Sequence, residues 1–345
     1  MKFEARRKQT VFLNPMENMA PKTVPTEIRT DPLTGRTSRI CHFRLLKWPN
    51  PGFESLAPGT EAMCPFCPDK VLALTPSFPE ELLPGGRLVD GDMILVPNIA
   101  PYDEISALTV LGADHFVPMK GLKADSIYRG FRLSLDFFRK LQQAGHPEAV
   151  YFLINWNYMP ASGSSVLHPH LQVFATSTAP NLIREELTAA KRYRDENGSN
   201  YWDDLVKAEE RDGRRFLGRV GRSTWLSSYA PLGVAGDVMA VVENVSHTLE
   251  LTDEDLKSLA EGLVKAIAGW DEMGLASFNM NFFTGAAGDD HARFHLLASP
   301  RSYFNQKLGT PDVGALRNLY NESMCLAFPE EINDILKPFF HQARS

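Results

Sequence analysis

Residues 149–175 read AVYFLINWNYMPASGSSVLHPHLQVFA, a stretch in which two apolar, β-prone runs enclose a short polar motif. Runs of this composition are typical of buried strands. In an extended segment alternate side chains share a face, so His168, His170 and Gln172 are predicted to point the same way. Two imidazoles and a carboxamide on one face contribute little to a hydrophobic core. The motif therefore indicates a site for a phosphate or a metal.

Length and composition limit the class of protein. The chain has 345 residues, of which 43% are hydrophobic and 23% charged, and these values predict a globular protein with one large or two smaller domains. A net charge of -6 argues against non-specific nucleic-acid binding, which needs a basic surface. No apolar run approaches the roughly 18 residues of a membrane span. Four cysteines and no signal-peptide pattern favour a reducing, cytoplasmic location.

The same order of sequence elements occurs twice after about residue 90. In each unit an apolar strand leads to a histidine, an amphipathic helix, a strand with two asparagines, a glycine-containing loop and a histidine-bearing strand. The helices are predicted at about 122–143 and from a capping box at Thr252-Asp253-Glu254-Asp255 onward. Corresponding residues are His115 and His247, His170 and His295, and the pairs Asn155 with Asn157 and Asn279 with Asn281.

This repeat predicts an α+β fold built from a duplicated module, with an antiparallel sheet and packed helices in each half. We place the first domain at residues 1–195 and the second at 196–345. Segment 14–90 is rich in proline and glycine and is predicted to be an irregular arm of short strands. Segment 184–215 is polar and predicted to be a bridging helix. Because Arg293-Phe294-His295-Leu296-Leu297 replaces the polar motif in the second unit, only the first half is predicted to be catalytic.

The residue types of the motif suit phosphoryl chemistry. A neutral imidazole is a good nucleophile because its pKa lies near 6.5. Its attack on a nucleotide α-phosphate would give a phosphoramidate that can pass the nucleotide to a second acceptor. Gln172 can donate an amide N–H to a phosphate oxygen. The loop Ser162-Gly163-Ser164-Ser165 offers hydroxyl groups and backbone N–H groups to a phosphate.

The motif and its surroundings resemble the active-site segment of galactose-1-phosphate uridylyltransferases, a family in the histidine-triad superfamily. Segment 157–172 resembles that family's Asn, Gly/Ser loop and His-Pro-His-x-Gln in order and spacing. Segment 29–36 is similar to the family's Asn-Pro-Leu-Thr-Gly segment, and Cys64-Pro65-Phe66-Cys67 resembles its Cys-Pro-Phe-Cys motif. The likeness extends over nearly the whole chain and implies a histidine-triad-like module in each half.

The resemblance implies a role for each polar residue of the motif. His170 would be the nucleophile that becomes nucleotidylated, and Gln172 would hold the transferred phosphoryl oxygens. Asn157 and Ser165 match positions that contact nucleotide phosphates in the family, and we add the neighbouring Ser164 as a substrate-binding candidate.

Cys64 and Cys67 are candidate metal ligands. Taken alone, a Cys-x-x-Cys pair is a zinc site, a redox pair or neither. The resemblance implies His115 and His168 as the two remaining ligands of a closed, structural zinc site. Cys41-His42 is a rival for one ligand position.

A second metal site is a weaker expectation of the same resemblance. Some members of the family bind iron or zinc through a glutamate and several histidines. Here His291 and His295, with Glu185 or Glu186, are the candidates. The ligand set is incomplete because Arg293-Phe294-His295 stands where the family has His-x-His.

The resemblance thus implies a nucleotidyltransferase that moves a nucleoside monophosphate between sugar-1-phosphates, with UDP-glucose and galactose-1-phosphate as first choice and a homodimer as its assembly. Alternatives are a phosphorylase that acts on ADP-glucose or a dinucleoside polyphosphate, and a nucleotide- or zinc-binding module without catalysis. The chain has Trp156-Asn157-Tyr158-Met159 where the family usually has Glu-Asn-Lys-Gly. Glu322 is a candidate for accepting hydrogen bonds from sugar hydroxyls.

Overall fold

The computed structural model describes residues 1–41 and 43–341. Its strands are β1 (Glu4–Asn14), β2 (Ala20–Thr30), β3 (Thr37–Cys41), β4 (Leu88–Asp90), β5 (Met93–Pro97), β6 (Ile105–Val110), β7 (Tyr151–Tyr158), β8 (His170–Thr176), β9 (Phe216–Val220), β10 (Ser223–Ser227), β11 (Val238–Val242), β12 (Ser277–Phe283), β13 (His295–Arg301), β14 (Tyr303–Asn305), β15 (Thr310–Pro311) and β16 (Ser323–Cys325). Its α-helices are α1 (Val71–Leu74), α2 (Ala124–Gln143), α3 (Asn181–Asn197), α4 (Tyr201–Asp212), α5 (Asp253–Glu272), α6 (Ala315–Tyr320) and α7 (Pro329–His341).

The two units join in one ten-stranded sheet in the described part of the chain, in the order β4-β5-β6-β8-β7-β12-β13-β11-β10-β9. Its neighbouring strands are antiparallel. The order is symmetric about the centre, where Asn157 of β7 faces Asn279 of β12 and Asn155 faces Asn281. The predicted α+β fold with a duplicated antiparallel module is therefore confirmed.

Helices α2 and α5 pack on one face of this sheet and contribute to the main hydrophobic core. Phe131 of α2 lies 4.9 Å from Phe282, and Trp270 of α5 lies 5.8 Å from Phe278, between ring centroids. At Gly262 the helix α5 comes so close to Trp225 that an added Cβ would lie 2.1 Å from the indole ring. Only glycine fits this contact without a shift of helix or ring.

Local signals in the sequence give the correct ends of these helices. Gly145 follows α2 with φ of 65°, the left-handed conformation typical of the residue after a helix. Thr252 and Asp255 form the predicted capping box at the start of α5, with both reciprocal hydrogen bonds present.

Segment 14–90 differs from the prediction of short strands, because β2 spans 11 residues and pairs along its whole length with β1. Pro21 and Pro25 lie where β2 has only β1 as a neighbour, since its pairing with β3 starts at Thr26. A proline lacks the N–H group that a second neighbour would require, so it is tolerated in this part of the strand. The expectation of short strands is therefore wrong for β2, whereas β3 and β4 have only five and three residues.

The bridging segment forms two helices, α3 and α4, rather than one. The left-handed Gly198 ends α3, and the Asn200 side chain caps α4 by accepting from the backbone N–H of Trp202. Both helices contribute to a smaller apolar cluster with residues of β10 and β11. Because the sheet is continuous, the domain division at residues 195 and 196 stays a prediction.

None of the helices in the described ranges 1–41 and 43–341 combines the length and the apolar character that crossing a membrane requires.

Candidate active site and metal cluster

The residues predicted to bind zinc lie together. Ligand atoms of Cys64, Cys67, His115 and His168 are all within 4.8 Å of one another. The Cys64 Sγ lies 3.8 Å from Nδ1 of His168, and the Cys67 Sγ lies 3.5 Å from Nδ1 of His115. In a tetrahedral site with two sulfur and two nitrogen ligands, neighbouring ligand atoms are roughly 3.3–3.8 Å apart, as follows from zinc–ligand lengths of about 2.0–2.3 Å. The four side chains therefore fit a zinc ion.

Hydrogen bonds prepare both imidazoles for metal binding. Nε2 of His168 lies 2.9 Å from the carbonyl oxygen of Gly112, so it carries the proton and leaves Nδ1 free toward Cys64. Nε2 of His115 lies 2.8 Å from the Thr60 hydroxyl oxygen. Such partners of the second ring nitrogen fix the orientation of a ligating histidine.

The charge states of the cluster depend on burial. Burial lowers the pKa of His168 to about 4, so this imidazole is neutral near pH 7, as ligation requires. Burial, and next its neighbour Cys64, raise the pKa of the Cys67 thiol to about 11. This thiol is therefore protonated near pH 7 unless a cation binds and displaces its proton.

The rival pair was Cys41-His42. Cys41 is half-buried and not part of the cluster. His42 lies outside the described residues.

His170 is placed by the backbone next to the metal cluster. Its Nδ1–H donates to the carbonyl oxygen of His168 at 2.8 Å, which leaves the lone pair on Nε2. The ring lies 5.0 Å from the Phe66 ring, between centroids, and burial lowers the pKa of His170. A neutral imidazole with a fixed tautomer is what nucleophilic attack requires.

Gln172 and Asn155 form a pair beside His170. They are direct partners in the register of β7 and β8, so they share one sheet face. Asn155 donates Nδ2–H to Oε1 of Gln172 at 3.4 Å, which leaves the N–H groups of Gln172 free to donate. No described residue hydrogen-bonds the buried Oδ1 of Asn155.

The remaining candidates lie around the Gly/Ser loop. The Oδ1 of Asn157 accepts from Asn279 at 2.6 Å, and Asn279 also donates to the Ser162 carbonyl. The Ser164 hydroxyl donates to the carbonyl of Val166 at 2.7 Å, whereas Ser165 is exposed. The structure thus places Asn157 on the central strand β7 and the hydroxyl groups of Ser164 and Ser165 on the loop that precedes β8.

Comparisons with known proteins give sequence matches over part or most of the chain. No protein-family model matches the chain. An uncharacterized protein of Archaeoglobus fulgidus is 29% identical over 306 residues, which cover 88% of this chain and 89% of that protein. A galactose-1-phosphate uridylyltransferase of Neurospora crassa is 28% identical over 193 residues, 54% of this chain and 46% of that enzyme. The match thus spans about half of the Neurospora protein.

Solved structures show the same architecture over nearly the whole chain. An Arabidopsis thaliana ADP-glucose phosphorylase with bound ADP-glucose superposes with a TM-score of 0.68 at 15% identity, covering 92% of this chain and 100% of that one. A uridylyltransferase gives a TM-score of 0.65 at 19% identity, covering 92% and 99%. The chain has the fold of the galactose-1-phosphate uridylyltransferase-like proteins. A GalT-like protein of Arabidopsis thaliana agrees, with a TM-score of 0.67 at 16% identity, covering 90% and 98%.

In the second half of this uridylyltransferase-like fold, the position equivalent to His170 is held differently. His295 is fully buried between the rings of Trp202 and Phe283, at centroid distances of 4.1 and 4.7 Å. Its Nε2 lies 3.5 Å from a carboxylate oxygen of Glu186. Burial lowers the pKa of His295 to about 4 and raises that of Glu186 well above its ordinary value.

The expected second metal set is not assembled in the described part of the chain, where Cys64, Cys67, His115 and His168 form the only group of three or more such ligands. Arg293 forms an ion pair with Asp203 at 2.8 Å, and His291 lies 3.9 Å from Asp290. A cation at the position of the missing histidine opposes the binding of a further cation.

The structure adds residues that the sequence did not single out. Phe66 packs against His170, Gly112 orients His168, and Asn155 holds Gln172. Phe66 lies inside the Cys-Pro-Phe-Cys motif, which was a usable signal. The role of Gly112 depends on chain segments that meet only in the folded protein.

Proposed function

We propose that this protein is a nucleotidyltransferase that works through a covalent nucleotidyl-His170 intermediate. The observation that carries the proposal is the hydrogen bond from Nδ1 of His170 to the His168 carbonyl. It fixes the tautomer in which Nε2 carries the lone pair, beside the amide of Gln172 on the same strand face. The fold agrees with that of uridylyltransferases and ADP-glucose phosphorylase.

In the first half-reaction, Nε2 of His170 attacks the α-phosphorus of a nucleoside diphosphate sugar. The P–N bond forms, the bond from phosphorus to the bridging oxygen breaks, and sugar-1-phosphate leaves with the electron pair. The N–H groups of Gln172, with Asn157, Ser164 and Ser165, bind the phosphate oxygens and favour the charged transition state. In the second half-reaction, an oxygen of an acceptor phosphate attacks phosphorus and the P–N bond breaks.

Two acceptor chemistries remain as candidates. Transfer of uridylate from UDP-glucose to galactose-1-phosphate, a step of galactose metabolism, is the first, supported by the motifs and by the similarity to the Neurospora enzyme. The second is transfer of adenylate from ADP-glucose, or from a dinucleoside polyphosphate, to inorganic phosphate. It is supported by the similarity to the fold of ADP-glucose phosphorylase.

We also propose a structural zinc ion held by Cys64, Cys67, His115 and His168, and assembly as a homodimer. The four ligand atoms close the coordination sphere, so the ion supplies rigidity rather than an open catalytic position. Strand β1 forms an edge of its sheet, and ten of its 11 residues are exposed. Such an edge is suited to association of two copies. Analytical ultracentrifugation tests the dimer, which a purely monomeric species would refute.

The chemistry is tested by incubating the protein separately with UDP-glucose and ADP-glucose labelled in the α-phosphate. We expect an acid-labile, base-stable label on wild type and none on His170→Ala. Discharge of the label by galactose-1-phosphate or by inorganic phosphate then distinguishes the two acceptors. A chain that binds nucleotide but takes no label from either donor would instead be a binding module.

A further inference from the structure

A cavity of about 430 Å³ lies against the second half of the ten-stranded sheet. Its walls include Asn281 of β12, Ser299 and Arg301 of β13, and segment 312–324 around α6. Glu322, predicted to meet sugar hydroxyls, is among the lining residues. The cavity combines these polar groups with apolar walls, among them Leu297, Phe304 and Leu316.

The cavity opens on the sheet face that carries Gln172. In the sheet register Gln172 is directly opposite Asn155, and Asn155 is directly opposite Asn281, so the three side chains form a row across β8, β7 and β12. Neighbouring strands are about 4.8 Å apart, so Asn281 lies roughly 10 Å from Gln172. A pyrophosphate bridge followed by one sugar ring has a length of this order. A substrate with its α-phosphate at Gln172 thus places its sugar at the cavity.

Arg317 gives the cavity a cation that no described carboxylate contacts within ion-pair distance. Its side chain is partly buried and donates to the Ser323 hydroxyl at 2.8 Å, and no described carboxylate forms an ion pair with it. The other charged groups are compensated. Arg301 is paired with Asp312, and Glu322 with Arg39.

Two charged neighbours, Asp237 and Arg36, act on Arg317 with opposite signs, because Asp237 raises the pKa of Arg317 and Arg36 lowers it. Asp237 is buried, accepts hydrogen bonds from Ser299 and the Gly233 backbone, and has a pKa that burial raises. Burial first, and then Arg36, lower the pKa of Arg317 and outweigh Asp237, while Arg36 itself lies 3.4 Å from Glu185. A partly desolvated guanidinium with no carboxylate in contact is unfavourable, and an anionic ligand would reduce that cost.

We propose that Arg317 binds a second anionic group on the sugar side of the substrate, a carboxylate or a phosphate remote from the transferred phosphate. The planar guanidinium offers paired N–H donors that match the oxygens of either group. The preferred sugar phosphate is then an acidic one, such as a uronic acid 1-phosphate or a hexose bisphosphate. This inference rests on the proposed function, because it identifies the sugar partner of that same reaction.

The test measures discharge of the labelled nucleotidyl-enzyme by glucose-1-phosphate, glucuronic acid 1-phosphate and glucose-1,6-bisphosphate. We expect at least one acidic acceptor to have a kcat/KM about 10–100-fold above that of glucose-1-phosphate, the range for a hydrogen bond to a charged group. In Arg317→Met this ratio should fall to about one. Arg317→Lys, which keeps the charge but not the planar fork, should give an intermediate ratio. Arg219→Met, which removes an exposed arginine paired with Glu210, is the matched control and should keep the preference.

Two results would overturn the inference: no preference for either acidic acceptor in wild type, or a preference that survives in Arg317→Met. If no label forms on His170, the proposed function fails by itself. Calorimetric titration of glucuronic acid 1-phosphate and glucose-1,6-bisphosphate into wild type and Arg317→Met then decides whether the cavity binds the anion. Wild-type binding that is lost in the variant supports the site, and equal or absent binding refutes it.

Discussion

His168 of the metal cluster and the proposed nucleophile His170 are two positions apart in the chain. Replacement of Cys64 by serine tests whether the cluster orients His170. The ring of His168 lies 3.8 Å from the Cys64 sulfur on one side and 2.9 Å from the Gly112 carbonyl oxygen on the other. The carbonyl of His168 in turn holds Nδ1 of His170 at 2.8 Å. Loss of the metal would leave the His168 ring held only by the Gly112 carbonyl. The His168 carbonyl, which accepts the hydrogen bond from His170, would then be positioned less firmly.

The size of the effect follows from this indirect coupling. Nothing that contacts phosphorus is removed, so the loss is that of an orienting group, about 10–100-fold in rate. This corresponds to roughly 1.4–2.7 kcal/mol in the activation free energy. We therefore expect Cys64→Ser to lose about one zinc per chain and to form the nucleotidyl label about 10–100-fold more slowly than wild type.

The assay combines metal analysis of the purified protein with quenched-flow measurement of label formation. The matched control is Cys41→Ser, which changes a half-buried cysteine outside the cluster and should keep both the zinc and the rate. Unchanged zinc in Cys64→Ser would refute the assignment of the metal ligands. Loss of zinc with a wild-type rate of labelling would refute the coupling to His170.

Three further results are expected. Gln172→Ala removes the amide N–H donors beside His170, and label formation should fall about 10²–10³-fold in rapid-quench experiments, while a loss below threefold would exclude this role. Burial lowers the pKa of His170, and only the neutral imidazole attacks. The labelling rate should therefore persist as pH falls through 6.5, the ordinary pKa of histidine, and decline only at lower pH. A midpoint of the rate profile at or above pH 6.5 would contradict this. Arg215→Met leaves the buried Glu209 without its partner at 2.9 Å and should lower the free energy of unfolding in urea by about 3–5 kcal/mol, whereas a change under 1 kcal/mol would show that the pair is dispensable.

Much of the candidate site was predictable because its motifs are short and local. Cys64 and Cys67 are three positions apart, and His170 and Gln172 alternate along β8, whereas His168, predicted to share that extended segment, lies in a bend before the strand. The role of Asn155 was not predictable from its position, because it depends on which residue of β8 the register places opposite. A shift of one residue in that register would point the side chain to the other face.

The sequence by itself determined the repeated order of helices and strands, since backbone periodicity and helix caps act over a few residues. It also predicted the chemistry that we propose for His170 and Gln172. The meeting of Cys64 with His168, 104 positions apart, was expected only from the family resemblance, whereas the pairing of Asn155 with Asn281 at the centre of the sheet was decided by the tertiary structure alone. The same holds for the unpaired Arg317 in the cavity, because the partners of a charged side chain depend on how the elements pack. Strand pairing and packing join residues that are remote in the chain, and no local pattern encodes that choice.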